Sequence, residues 1–564
     1  MRTKVPPGRD VLLRTVRSRG RDVATGAVLG AGHQFGEALV PVLIGLVIDR
    51  AVAGGDGGAL LFWLGVLAVV YVGLSVSFRF GARAGERAAE QAAHELRVAL
   101  VRRVLDPRGG AERGRLPGEL ANIATEDAKR VGAVNMAVMT GMSALTGLLV
   151  SAVALLRISV PLGLLVLLGT PLLLWLGHLL SKPLERRSEA EQEQAAHASG
   201  VAADLVSGLR VLKGIGAQAA AVERYRRTSR ASLGATVRAA RAEAWQSGVV
   251  LTLTGVFIAV VALIGGRLAL AGDITLGQLV SAVGLALFLL GPLEVFAWVN
   301  AEFAQGRASA ARVAAVLDAE PAVPSGPAGP ADPVRGGLRL RGVSLGALRE
   351  ADLDVRPGEL LGVASTDPAA AQALLDCFGR TADPDAGVVE LDGVPFPDLD
   401  PARLRTVVLV AAHDADLFEG TLDDNIAAGG DGSRDAGRAL AAACADEVAR
   451  ALPLGTATGI TEGGRSLSGG QRQRVVLARA LAAERPVLVV HDPTTAVDAV
   501  TEARIAAGLR EHRRGRTTLV VTNSPALLSA TDRVVLLDGG RVTADGAHGD
   551  LVHDDATYRT AVLA

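Results

Sequence analysis

Lysine is scarce in this chain, and its distribution is uneven. Of 564 residues, 58 are lysine or arginine, but the only lysines are Lys4, Lys129, Lys182 and Lys213. None follows Lys213, which excludes from the second half any phosphate-binding loop that relies on a lysine ammonium. Cysteine is scarcer still: Cys377 and Cys444 both lie in the second half. Two isolated thiols make no disulfide framework and have no metal-ligand spacing, so they read as reduced packing residues. The formal net charge of −1 removes the electrostatic reason to expect a nucleic-acid partner. A cleavable signal pattern is also missing. Arg2 to Arg21 is studded with arginines and has no short apolar core before a small-residue cleavage site. Residues 1–23 read instead as a cytoplasmic amphipathic lead-in to a first span.

Apolar surface is abundant. The chain is 49% hydrophobic, and the long apolar runs fall almost entirely before about residue 304. Six segments, 24–49, 59–82, 132–156, 160–180, 246–271 and 276–303, are each about as long as a bilayer core demands of a helix. The first and sixth are more polar than a lipid-facing helix tolerates, which assigns them interior positions. Between them the connections 50–58, 157–159 and 272–275 are short, while 83–131 and 181–245 are long, charged and helical in period. The long ones carry Arg102, Arg103, Arg113, Lys129, Lys182, Arg186, Arg210 and Lys213. The positive-inside tendency therefore puts both long connections, and both termini, on the cytoplasmic side of a cell membrane. A soluble helical bundle is the competing reading, but soluble helices show a polar face that these mostly lack. A Pro/Gly/Ala-rich linker, 319–337, then leads into short β-like runs such as Leu338–Leu345 and Leu360–Ala364 interleaved with alanine-rich helical stretches, an α/β pattern.

One string in the second half is specific. Ser466-Leu467-Ser468-Gly469-Gly470-Gln471-Arg472-Gln473-Arg474, followed by Ala478-Arg479-Ala480-Leu481, places a serine cap and small residues ahead of a helix, leaving its first amides and dipole free to receive a phosphate. A bare Ser-Gly-Gly would be only a turn before a helix; the full string matches the signature motif of ATP-binding cassettes. Pro486–Val490 followed by His491-Asp492-Pro493-Thr494-Thr495-Ala496-Val497-Asp498 resembles that family's Walker B strand and D-loop. Leu417-Phe418-Glu419-Gly420-Thr421-Leu422-Asp423-Asp424-Asn425-Ile426 resembles its segment after the Q-loop, and Pro117-Gly118-Glu119-Leu120 with Asp127 is similar to its first coupling region. Over practically its whole length the chain resembles a half-transporter of the exporter fold. That resemblance implies an all-α membrane domain of six helices with long cytoplasmic arms (24–318), then an α/β P-loop-NTPase-like nucleotide-binding domain (338–564).

Against the family pattern, the P-loop position reads Ser365-Thr366-Asp367-Pro368-Ala369-Ala370-Ala371-Gln372. Ser365, Pro368 and Ala370 stand where glycines belong, Ala371 in place of the lysine and Gln372 in place of the Mg²⁺-binding hydroxyl. Pro368 removes an amide donor, and Asp367 adds negative charge where phosphate would sit. The Walker B aspartate falls on His491, a poor ligand for hard Mg²⁺. The catalytic glutamate falls on Asp492, the Q-loop glutamine on His413, the switch histidine on Asn523, and the adenine-stacking aromatic near Ala347. With ATP lying between the P-loop of one cassette and the signature of another, the resemblance implies a division of labour. Ser468, Gly469, Gly470, Gln471 and Asp498 would act in trans on ATP and Mg²⁺ held mainly by a partner half-transporter with intact Walker motifs. The chain alone is expected to be inactive. Cavity-lining candidates are His33, Gln34 and Glu37 on the first span and Glu294, Trp298 and Asn300 on the sixth, with Glu302 further along. The function expected is ATP-driven efflux of an amphipathic small molecule, lipid or peptide by a heterodimer. Two readings stand beside it: a siderophore importer of the same fold, and a non-hydrolysing membrane regulator, against which the retained signature argues.

Overall fold

The computed structural model describes residues 7–413, 415–429 and 436–563, with the side chains of residues 7 and 180–186 left out. Lys4, Asp414 and the side chains of Lys182 and Arg186 therefore lie outside the described residues. The chain divides into two units. One takes the residues up to Val101 and Leu116–Leu317; the other takes Arg102–Arg115 with Asp318 onward. The piece 102–115, read from the sequence as part of the membrane half, groups with the second unit. There Arg103 donates to the Ala319 carbonyl at 2.7 Å, and the Ala322 N–H donates to the Arg108 carbonyl at 3.0 Å.

The first unit is helical throughout. Its elements are α1 (Pro7–Ser18), α2 (Gly20–Val47), α3 (Gly57–Val104), α4 (Pro117–Asn122), α5 (Ala128–Ile158), α6 (Val160–Ser207), α7 (Leu209–Gly214), α8 (Gln218–Leu270), α9 (Leu276–Phe288) and α10 (Leu290–Leu317). The long charged connections are thus continuations of span helices, as their period implied. Among the described residues five helices are long and apolar enough to cross a membrane, within Gly57–Val104, Pro117–Ile158, Val160–Leu179, Gln218–Leu270 and Leu276–Leu317. Six were expected. The missing one is α2, a helix of span length whose His33, Gln34, Glu37 and Pro41 dilute its apolar content. It is held against α9 where Gly45 and Gly277 meet: a Cβ on Gly277 would fall 2.1 Å from the Gly45 carbonyl oxygen, a small-residue crossing that lets two backbones touch.

The sixth apolar segment is broken at Leu289. Pro292 has no N–H to offer the Phe288 carbonyl four residues back, so the helix restarts as α10. Between α4 and α5 the chain opens into a wider turn over Ile123–Asp127. The buried Asp127 there takes paired hydrogen bonds from Arg312 at 2.5 and 2.7 Å and one from Ser309 at 2.9 Å. This fork fastens the start of α5 to the last turns of α10.

The second unit carries two main sheets. One is antiparallel, in the order β2 (Leu348–Val355), β1 (Leu338–Leu345), β4 (Ala386–Leu391), β5 (Val394–Pro395). The other runs β10 (Arg541–Gly546), β9 (Arg533–Asp538), β3 (Leu360–Ser365), β8 (Thr517–Val521), β7 (Val487–His491), β6 (Val408–Ala411). It is parallel except for β10. Strands β3 and β8 are buried at every residue, as central strands of a parallel sheet covered on both faces are. Four helices bear on function: α11 (Pro368–Gly379), α12 (Gly469–Ala482), α13 (Ala499–His512) and α14 (Ala556–Leu563). Both cysteines are buried and free. Burial pushes the Cys377 thiol up to about 12 and raises that of Cys444, so both are packing thiols rather than nucleophiles.

Candidate functional site

Ligands of open α/β sheets bind beyond the carboxyl ends of the parallel strands, and the sequence-chosen positions gather there. At the end of β3 the chain makes no wide, amide-lined loop. Asp367 caps α11 at once: its Oδ1 accepts the Ala369 N–H at 2.9 Å, and its carbonyl accepts those of Ala370 and Ala371 at 3.1 Å. Pro368, at the first helical position, has no N–H to give. The amides that would wrap a phosphate are therefore spent inside the turn, with a carboxylate at the positive end of the helix. Ala371 is buried within α11, and Gln372 reaches along the helix to Asp376 at 3.1 Å.

Around this turn the other positions are tied down. Asn523 grips the end of β3, accepting the Ser365 N–H at 3.0 Å and donating to its carbonyl at 2.9 Å. Thr366 donates to Asp538 at 2.6 Å. The open hollow beside it, about 600 Å³, is lined by Ser365, Thr366, Asn523, Thr557, Thr560 and two alanines, and no cationic side chain is among them. Ala347 is partly buried against the core of the antiparallel sheet. At the end of β7 the ring of His491 meets that of His413 edge-on, with centroids 5.1 Å apart. Asp492, turned into the left-handed region at φ 41°, lies 3.6 Å from His491 Nε2. Among the described residues, no three His, Cys, Asp or Glu side chains converge as metal ligands.

The signature helix ends differently. Ser468 caps α12 reciprocally with Gln471: the Gln471 N–H donates to Ser468 Oγ at 3.3 Å, and Gln471 Oε1 accepts the Ser468 N–H at 2.9 Å. The cap is neutral and exposed, and the Gly469 and Gly470 amides stay at the open end of the helix. Gly470 is required by packing, since a Cβ there would sit 2.5 Å from the Ala496 carbonyl oxygen. One residue that sequence reasoning left out of the site fixes the geometry. Gln473 donates to Thr495 Oγ1 at 2.6 Å and accepts the Ala496 N–H at 2.8 Å, clamping the D-loop to the signature helix. Asp498 caps α13 through the Thr501 N–H at 3.0 Å, which holds its carboxyl below the usual carboxylate range.

Comparison with known proteins accounts for this pairing of a helical membrane unit with such a sheet. Residues 23–293 match the model of the ABC transporter transmembrane region, and residues 348–495 that of the ABC transporter family. An ATP-dependent lipid A-core flippase of Thiobacillus denitrificans is 32% identical over 398 residues, 69% of each chain. The chain belongs to the ABC transporters. A multidrug efflux ATP-binding/permease protein of Mycobacterium tuberculosis is 32% identical over 548 residues, 94% of this chain but 46% of the relative, so the chain spans about half that protein's length. In structure, a bacterial Atm1-family ABC exporter with ATP bound matches with a TM-score of 0.73 at 23% identity, over 97% of this chain and 98% of the other. The fold is that of an ABC exporter half, a multi-pass membrane protein whose family hydrolyses ATP with Mg²⁺.

In the transporter's spans, His33, Gln34 and Glu37 come together. Gln34 Nε2 donates to Glu37 Oε2 at 3.2 Å, and His33 Nε2 lies 3.6 Å from the same oxygen. Glu294, Trp298 and Asn300 are exposed along α10 and Glu302 is half-buried; among the described residues no hydrogen bond or ion pair joins any of the four to the first-span cluster.

Proposed function

We propose that this transporter half is the non-hydrolysing member of an ATP-driven heterodimeric exporter, completing with its signature helix the ATP site of a partner half that holds nucleotide and Mg²⁺. The observation that carries the reading is the contrast between two helix N-termini in one domain. The end of α11 is filled by its own Asp367 carboxylate, whereas that of α12 carries a neutral serine cap and two open glycine amides. The first repels an anion and has no spare donors; the second can receive one. Mg²⁺–ATP does not fit the chain's own face, where an alanine stands in place of the lysine, imidazoles in place of oxygen ligands and a sequestered asparagine in place of the switch histidine.

Two further features support a two-half assembly. The tip of the second long arm exposes an apolar hollow of about 320 Å³, lined by Val206, Leu209, Leu212, Val222 and Tyr225 among others, and an isolated subunit would leave that surface in water. The mycobacterial relative, aligned over 46% of its length, has room for two such halves in one polypeptide. Efflux of an amphipathic molecule, a cytoplasmic-membrane location and a cytoplasmic nucleotide-binding domain belong to the same proposal.

The test is co-purification. A partner half with intact P-loop lysine and Walker B carboxylates, co-expressed with this chain, is expected to purify with it one-to-one and to hydrolyse ATP with substrate stimulation. A partner that homodimerises and excludes this chain would overturn the reading.

A further inference from the structure

We propose that Glu37, oriented by Gln34 and lying beside His33, is a binding site for the positively charged head of an amphiphile; the proposal rests on the transport reading and names the substrate class. Glu37 lies at the middle of the first span, thirteen residues or about 20 Å from residue 24. Its side chain is 44% exposed, and a carboxylate at that depth faces a water-filled cavity or a charged ligand rather than lipid.

The geometry is that of an open site. His33 Nδ1 lies 3.0 Å from the Leu74 carbonyl oxygen, which can only accept, so in the neutral ring Nδ1 carries the proton and Nε2, 3.6 Å from Glu37 Oε2, has none to give; the hydrogen bond that orients the carboxylate comes from Gln34. The His33 ring is also braced by Phe78, centroids 5.1 Å apart. Gln34 has one workable orientation, because flipping its amide would set oxygen against the Glu37 carboxylate. In holding that orientation it leaves Oε1 buried without a hydrogen bond, in space that is free only because Gly147 has no Cβ. An unpaired buried carbonyl costs stability, and here that cost fixes the carboxylate. A purely structural pair would bury the acid and satisfy both its oxygens. Glu37 instead keeps Oε1 without a partner among the described residues.

Charge identifies the occupant. The six spans, 24–49, 59–82, 132–156, 160–180, 246–271 and 276–303, hold the acids Glu37, Asp49, Glu294 and Glu302 against two arginines, Arg79 and Arg267. Among the described residues neither arginine pairs with Glu37, whose partners are Gln34 and His33, so a cation meets a carboxylate that no fixed positive charge compensates. The exposed Phe78 beside His33, and Ile44 two turns along the same face of α2, provide apolar contact for the body attached to that cation.

The test uses two probes of one shape and opposite charge, tetraphenylphosphonium and tetraphenylborate, titrated against the purified full-length chain in nanodiscs. Glu37→Gln preserves size and hydrogen bonding. It is expected to weaken tetraphenylphosphonium binding at least about tenfold through loss of the charge and to leave tetraphenylborate unchanged or tighter. Glu193→Gln, at an exposed acid on the second long connection, is expected to change neither. Tetraphenylphosphonium affinity within twofold of wild type in Glu37→Gln, equal weakening of both probes, or no binding of the cation to wild type would each overturn the proposal. Binding is read without ATP turnover, so an inactive complex would count against the transport reading and leave this site standing.

Discussion

Replacing Ser468 with arginine is expected to abolish ATP turnover by the assembled transporter, although on the proposed reading this chain supplies no catalytic nucleotide ligand of its own. The guanidinium would occupy the mouth of α12, where the neutral cap and the Gly469 and Gly470 amides stand open. The partner's γ-phosphate would lose preorganised donors of the kind that stabilise a transition state by about 3 kcal/mol, roughly a hundredfold or more in rate. Ser468 is the cleaner position for this test. Gly470→Asp would also drive a Cβ into the Ala496 carbonyl and disturb the D-loop as well as the helix end. His491→Ala is expected to be mild, because that imidazole packs against His413 and on the proposed reading holds no catalytic metal. An active site on this chain's own face would invert that order of severity. The measurement is steady-state phosphate release by the purified complex and its variants at saturating ATP.

The second large effect is an absence of activity. The purified chain without a partner is expected to release phosphate at the rate of a no-enzyme control, and restoring Ala371 to lysine is expected to change nothing. Position 371 is buried inside α11, so the new ammonium would either lose hydration or disrupt packing before reaching a phosphate. The loop would still be closed by Asp367 and Pro368. Turnover well above control by a rigorously purified homodimer would count against the account, as would a large gain in Ala371→Lys.

The residues that were legible in the sequence are those whose signal is local. Length and hydropathy gave the span helices, and the serine cap with its glycines gave the start of α12, because a cap is written in adjacent residues. The closed turn after β3 was half legible. Asp367 and Pro368 were read as a lost amide and an unwelcome charge, yet Asp-Pro is itself the pattern of a helix cap followed by its first residue. Read that way, it places the helix start ahead of position 371. The break at Leu289 had a signal in Gly291-Pro292, masked by the unbroken apolar run on either side. Other features had no local signal. Gln473 reaches Thr495 and Ala496 across the turn between two elements, and His413 meets His491 only because β6 and β7 are neighbours in the sheet. The grip of Asn523 on Ser365 likewise depends on strand order rather than on either residue's neighbours. Membrane composition misled once: α2 is the helix whose polar residues take it below the composition of a span, and those residues form the cluster around Glu37.

The central claim is that nucleotide is hydrolysed only on the partner's face, with this chain's signature helix closing over it. Vanadate trapping of the complex with a photoreactive ATP analogue tests it directly, since trapping captures nucleotide where hydrolysis has occurred. The account predicts one trapped nucleotide per heterodimer, cross-linked to the partner's P-loop, and no trapping when Ser468 is arginine. Trapped nucleotide cross-linked to this chain around Ser365–Gln372, or two trapped nucleotides per heterodimer, would contradict it.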